Sequence, residues 1–205
     1  MNCTSANGLK ILILTWLCAA AMLAGEGAKA TDALPKNEPL ETRGKAIVQQ
    51  AFALLSSNLG QALAAGGVSN ALAYCSEKAL PLTQLAADTN HVRLRRVSHK
   101  PRNPANQANP TELMLLKQFQ SQATQGKAAV PVLITNADQS VTFFSPITLN
   151  NPLCLNCHGE PGKNITSANA ALIRRIYPKD RATGFKMGDL RGMWRVDFEP
   201  AALTR

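Results

Sequence analysis

The stretch VPVLITNADQSVTFFSPIT, residues 130–148, indicates the fold class of this chain. Two runs rich in β-branched and aromatic residues, 130–135 and 140–148, flank a short polar turn, and this pattern predicts a β-hairpin. Outward from the hairpin, further strands are predicted at 91–98, where apolar residues alternate, and at 192–198. We therefore expect an antiparallel sheet.

Helices are predicted on both sides of the hairpin. In 41–65 apolar residues recur at helical spacing, and Gly66-Gly67 is expected to end this helix. Ser69 is predicted to cap a second helix, which Pro81 is expected to bend or interrupt before Asp88. Two further helices are predicted at 111–126 and 167–177. Helices that accompany an antiparallel sheet define an α+β fold.

The composition fits one globular domain. The chain has 205 residues, of which 45% are hydrophobic and 17% charged. This length supports one domain with a hydrophobic core and leaves little room for two. The composition is also unlike that of disordered or low-complexity chains. Residues 41–205 are therefore predicted to form a single domain.

The first thirty residues have the features of a secretory signal peptide. Lys10 precedes an apolar stretch at 11–24, and the leader ends in the small-x-small pattern Ala28-Lys29-Ala30. The stretch is short for a membrane span, which needs about 20 residues. We expect cleavage after residue 30, a tether at 31–40 and a periplasmic location. An uncleaved anchor is the alternative, and membrane association is expected only in that case.

The pentapeptide Cys154-Leu155-Asn156-Cys157-His158 is the attachment signature of a c-type haem. Two thiols on one helical turn can form thioethers with the two vinyl groups, and the next residue can then bind the iron through its imidazole. A thioredoxin-like pair would accompany a βαβ pattern, which is absent, and a zinc site would need more ligands. A Cys154–Cys157 disulfide would leave His158 unused. The sequence therefore predicts one covalent haem c.

A second axial ligand of the iron has several candidates. Methionine often partners histidine in cytochromes c, whereas a lone thiol in an oxidising compartment is a liability unless it is buried or bound. Met114 is expected to fill the core, and His91 and His99 are expected to face solvent. From spacing alone the candidates remain Cys75, His91, His99, Met114, Met187 and Met193.

Four motifs lie in order along residues 41–200. They are YCSEKA at 74–79, KPRNPAN at 100–106, the haem signature at 154–158, and YPKDRATGFK at 177–186 with GDLRG at 188–192. Together they resemble a family of bacterial and cyanobacterial periplasmic single-haem c-type proteins, whose domain also forms the extracytoplasmic part of membrane-bound signalling proteins. The resemblance implies a PAS-like α+β fold with N-terminal helices, His158 as proximal ligand and Cys75 as distal ligand. A thiolate ligand would favour ferric iron and lower the reduction potential.

A basic stretch precedes the second of these motifs and overlaps it. It consists of Arg93, Arg95, Arg96, Lys100 and Arg102. Basic clusters can bind nucleic acid, but we do not expect this of an exported haem protein. The interpretation that involves no ligand is that the basic stretch forms a solvated face of a strand. One or two of these residues, Arg102 first among them, are predicted to pair with the haem propionates, and the positive charge would also steer an acidic redox partner or an anionic membrane surface.

Two functions follow from these features. The first is a redox or gas sensor that signals through a His/Cys-ligated haem, with a membrane signalling protein as partner. The alternative is a periplasmic electron-transfer cytochrome, which remains open because no kinase or other output domain is recognised in the sequence. A haem enzyme of the peroxidase type is not expected, since no distal acid–base pair is evident and a bound thiolate would block substrate.

Overall fold

A four-stranded antiparallel sheet forms the centre of residues 38–199, the part of the chain that the structure, a computed structural model, describes. The predicted leader at 1–30 and residues 31–37 of the predicted tether lie outside this part. The helices are α1 (Leu40–Asn90), α2 (Pro110–Thr124), α3 (Leu155–His158) and α4 (Ser167–Ile176). The strands are β1 (Arg93–Val97), β2 (Val132–Thr135), β3 (Val141–Thr148) and β4 (Leu190–Phe198). The predicted α+β class is confirmed.

The predicted hairpin is formed by β2 and β3. Val132 pairs with Phe144 and Thr135 with Val141 in antiparallel register. The strand order is β1-β4-β3-β2, so the C-terminal strand lies between β1 and the hairpin. The other predicted strands and the helices α2 and α4 are present, with ends shifted by one or two residues.

Each face of the sheet is covered by a helix. On one face Ile47 and Ala51 of α1 pack against Phe143 and Trp194. On the other face Phe119 of α2 packs into a second cluster that contains Val97, Phe144 and Met193. Successive residues of a strand point to opposite faces, so the alternation along β4 supplies both clusters. The sheet is therefore held from both sides.

The helix α1 approaches the sheet most closely at Gly44. A Cβ atom added to Gly44 would lie 2.5 Å from Cγ of the buried Phe143 ring. We expect Gly44→Ala to lower the free energy of unfolding by about 1–3 kcal/mol, because the ring has to shift within a packed core. Denaturant unfolding measures this change. The matched control is Gly60→Ala, where an added Cβ meets nothing within 4 Å, and it should stabilise the helix by about 0.5–1 kcal/mol. Equal effects of the two substitutions would contradict the prediction.

The predicted break at Gly66-Gly67 divides α1 into two helical parts. Gly67 has φ 65° and ψ −161°, a conformation open only to glycine, so the break depends on it. The parts are tied together by the Asn70 side chain, whose amide donates to the carbonyl of Ala62 at 2.8 Å. Ser69 was predicted to cap the second part. Its hydroxyl instead donates to the Asn169 side chain on α4 at 3.2 Å.

Pro81 does not interrupt the second part of α1, and an interruption was one of the two outcomes expected for it. The helix continues past Pro81 to Asn90. Beyond the proline, Thr83, Ala86 and Ala87 are buried, and the two alanines belong to the cluster beneath the sheet. Burial of this apolar face outweighs the one backbone hydrogen bond that a proline removes. None of the helices within 38–199 has both the length and the apolar character needed to cross a membrane.

Candidate functional site

The C-x-x-C-H motif forms a short, tightly capped helical turn. Asn151 caps it by accepting a hydrogen bond from the backbone N–H of Leu153 at 2.9 Å, and a 3₁₀ turn at Pro152–Cys154 leads directly into α3. Cys154 packs beside a cluster formed by Leu149, Ala182 and Phe185. No disulfide links the three cysteines of the described chain, Cys75, Cys154 and Cys157. The two motif cysteines therefore lie on one turn, and neither is in a disulfide.

The imidazole of His158 is oriented by a backbone carbonyl. Its Nδ1 atom lies 2.8 Å from the carbonyl oxygen of Ala182. Because a carbonyl can only accept, Nδ1 carries the proton and the lone pair of Nε2 is available to a metal. Burial, together with the charges of Arg191 and Arg102, holds the pKa of His158 well below its usual value. The ring is therefore in the neutral form that ligates iron.

Cys75 lies on the second part of α1 and reaches the same site. The residue one turn before it, Leu72, packs in a buried cluster with Ile173 of α4 and with Cys157. Burial raises the pKa of the Cys75 thiol, and the charges of Arg96 and Arg102 act against this rise. The charge of Cys75 in turn contributes to a raised pKa of Cys157, after burial as the main cause. The fold thus brings the predicted distal residue to the motif.

Arg102 fastens the loop after α4 to the motif. Its guanidinium donates to Asp180 at 3.1 Å from Nε, and to the carbonyls of Cys157 and Ala182 from Nη2. Asp180 also accepts from the backbone N–H of Ala182 at 3.0 Å. These bonds fix the carbonyl that orients His158. Arg102 therefore positions the site in this structure, and its pairing with haem propionates stays a prediction.

Two further arginines, which the sequence patterns do not distinguish as site residues, lie in the site. Arg96 and Arg191 are half-buried, and the Nε atom of each is fully buried without a hydrogen-bond partner. Arg191 donates from Nη1 to Ser98 at 2.9 Å and to the carbonyl of Lys100 at 3.1 Å. Burial and the nearby charges of Arg102 and Arg96 lower the pKa of Arg191 to about 9. The available signal was the position of Arg191 inside the GDLRG motif.

Arg95 and Arg93 of the basic stretch form ion pairs away from the motif. The face that carries Arg95 is not simply solvated, because its guanidinium binds the buried Glu112 at 2.7 Å. Glu112 also accepts from Arg195 at 2.9 Å. Arg93 is 70% exposed and pairs with Glu199 at 3.1 Å. The basic stretch is therefore split between structural ion pairs and the site.

The remaining candidates for the second axial ligand are distributed over the molecule. Met193 is fully buried between the sheet and α2. The prediction that Met114 fills the core is wrong, since 65% of it is exposed. His91 is exposed at the end of α1, as expected, whereas His99 is half-buried with its ring edge-on to Phe185. Within 38–199 no group of three or more His, Cys, Asp or Glu residues is arranged to hold a metal ion.

Known proteins resemble this chain over most of its length. The model of a family described as Tll0287-like matches residues 32–198. A solved structure, the crystal structure of the cyanobacterial heme-protein Tll0287, superimposes with a TM-score of 0.56 and is 26% identical. The match covers 80% of this chain and 98% of that one. Among curated proteins, none matches this chain.

Proposed function

Because the chain belongs to the Tll0287-like family, we propose that it is a haem protein with one covalently bound haem c. The similar cyanobacterial structure is that of a heme-protein, which supports haem as the cofactor. The bonding state of His158 supports it further, since Nδ1 is held by the Ala182 carbonyl and Nε2 is left for iron. Cys154 and Cys157 on the same turn would supply the two thioether bonds.

The residues around the motif fit such a group. The two thiols border separate apolar clusters, one with Leu149 and Phe185 and one with Leu72 and Ile173, and apolar walls suit the flat faces of a macrocycle. The unpartnered guanidinium atoms of Arg96 and Arg191 suit its anionic groups. When bound, the iron would supply a one-electron ferric/ferrous couple.

The position of Cys75 beside Cys157 of the motif carries the proposed role, which is redox or gas sensing outside the cytoplasm. Cys75 and His158 would be the two protein ligands of the iron, and a thiolate favours ferric iron. Cys75 belongs to the part of α1 beyond the Gly67 break, and this part packs on α4 through Leu72. Loss of the bond between the thiolate and the iron would therefore act on a helical segment rather than on an exposed loop.

The test is spectroscopy of the purified haem-loaded protein in both oxidation states. A low midpoint potential, with ligation that changes on reduction, supports sensing. Unchanged ligation in both states, together with fast electron exchange, favours the alternative of an electron carrier. Absence of covalent haem from protein matured in a competent export host would overturn both.

One structural observation keeps the electron-carrier function as a second candidate. Leu153, directly before the first motif cysteine, is 61% exposed, and Cys154 is half-buried. A thioether edge near the surface would give a redox partner access, and the net charge of +8 that remains without residues 1–30 favours an acidic one. Saturable electron exchange with an acidic redox protein, weakened by salt, would support this function.

The proposal includes export and excludes an enzymatic role. Residues 1–30 are proposed to direct the chain to the periplasm and to be removed there, and N-terminal sequencing of the purified protein checks this. We expect no binding of nucleic acid. Peroxide turnover by the haem-loaded protein would contradict the absence of enzymatic activity.

A further inference from the structure

The arginines around the sheet differ in whether a carboxylate neutralises them. Those with a carboxylate partner are Arg93 with Glu199, Arg95 and Arg195 with Glu112, and Arg102 with Asp180. Arg96 and Arg191 form no ion pair with any acidic group of residues 38–199. Each also buries its Nε atom without a hydrogen bond. The described protein thus gives these two cations no carboxylate. Arg43 of α1 also buries an unpartnered Nε and forms no ion pair within the same residues, but its guanidinium lies over the Phe198 ring, so Arg96 and Arg191 are singled out by their position beside the site.

Both uncompensated arginines face the candidate site. The Arg191 guanidinium lies 5.4 Å from the centre of the Phe185 ring, which meets the His158 ring edge-on at 6.4 Å between centroids. The charge of Arg96 acts on Cys75, and its guanidinium lies 5.9 Å from the Trp194 ring. The charges of both cations thus act on His158, and that of Arg96 acts also on Cys75.

Keeping these charges beside each other is unfavourable without an anion. The charges of Arg102 and Arg96 both act to lower the pKa of Arg191, and Asp180, which opposes this, is already bound by Arg102. A buried donor without a partner adds its own desolvation cost. Binding of a ligand that carries carboxylates would remove this cost and stabilise the folded protein.

We propose that Arg96 and Arg191 bind the propionate carboxylates of the haem, a role that the sequence patterns assign to Arg102. This inference rests on the proposed function. A guanidinium matches a carboxylate with two parallel hydrogen bonds, and such pairs are strongest where water is excluded. Arg102 is less suited, because Asp180 already neutralises its charge and its Nε and Nη2 atoms are engaged with Asp180 and with the carbonyls of Cys157 and Ala182. Arg191 uses only Nη1, for Ser98 and the carbonyl of Lys100, and has no carboxylate partner in the described part of the chain.

The first test is resonance Raman spectroscopy of haem-loaded Arg96→Gln and Arg191→Gln. The band of the propionate bending mode should shift in each variant, and Arg96→Lys should also shift it because lysine lacks the planar fork. The matched control is Arg93→Gln, which removes the same charge from an exposed position on the same strand and should leave the band unchanged. Unshifted bands in Arg96→Gln and Arg191→Gln would overturn the inference while leaving the proposed haem function intact.

The second test measures thermal unfolding in two forms of the protein, one without covalent haem and one loaded with haem. In a background of Cys154→Ala and Cys157→Ala, the Arg96→Gln substitution should raise the unfolding temperature by about 2–4 °C, because an uncompensated charge is removed. In the haem-loaded protein the same substitution should lower it by a similar amount. A decrease in both forms would assign Arg96 a purely structural role and refute the inference. This arm also decides the matter if Arg96→Gln fails to mature with haem.

Discussion

Replacing both Cys154 and Cys157 with alanine is expected to abolish covalent haem attachment. Each thiol supplies one of the two thioether bonds, and no other cysteine lies on the turn at 152–158 that holds them. Haem staining of the denatured protein on a gel should fall to background, and the pyridine haemochrome spectrum of the unfolded fraction should be lost. The mass of the protein should fall by that of one haem.

The single variants and a third cysteine provide the controls. Cys157→Ala alone should retain a weak stain, because one thioether remains possible. Cys75→Ala should retain the full stain, since Cys75 lies on α1 and is proposed to bind iron rather than the macrocycle. Full staining of the double variant would show that the haem is held in another way and would remove the basis of the proposed site.

Local signals account for most of what the sequence predicted correctly. The hairpin of β2 and β3 follows from two β-rich runs around a short turn, and the break in α1 follows from Gly66-Gly67. The helical turn at the haem signature is likewise encoded by adjacent residues. In each case the deciding interactions join residues close in the chain, so no tertiary information was needed.

The errors arose where distant parts of the chain meet. Pro81 does not interrupt α1, because the turns beyond it are buried under the sheet. His99 was expected in solvent, but the loop that carries Phe185 folds over it. Met114 was expected in the core, yet the register of α2 places it on the outer face. Periodicity alone does not predict whether such residues are buried, because it does not specify which elements pack against each other.

The same limit explains why the sequence does not distinguish the arginines of the site from one another. Sequence alone presents Arg96 and Arg102 as members of one basic stretch. The fold separates them, because Asp180, 78 residues after Arg102, pairs with Arg102 and leaves Arg96 without a carboxylate. Tertiary structure thus determines which arginine lacks a carboxylate partner and can bind a ligand.

Replacing Cys75 with alanine is expected to change the electronic state of the ferric haem. With a thiolate opposite His158 the iron should be six-coordinate and low-spin, and its electron paramagnetic resonance spectrum should show the narrow spread of g values typical of thiolate ligation. Loss of the thiolate should convert most of the signal to high-spin. The midpoint potential should rise by on the order of 0.1 V or more, since axial ligands set haem potentials over about 0.8 V.

The control for this substitution lies on the next residue. Ser76 is exposed, and its hydroxyl bonds only to the carbonyl of Ala73 one turn earlier, so Ser76→Ala perturbs the same helix without touching the site. It should leave both the spectrum and the potential unchanged. An unaltered ferric spectrum in Cys75→Ala would exclude Cys75 as a ligand. Met187, which is 44% exposed, and the half-buried His99 would then be the next side chains to substitute, because Met193 is fully buried on the face covered by α2.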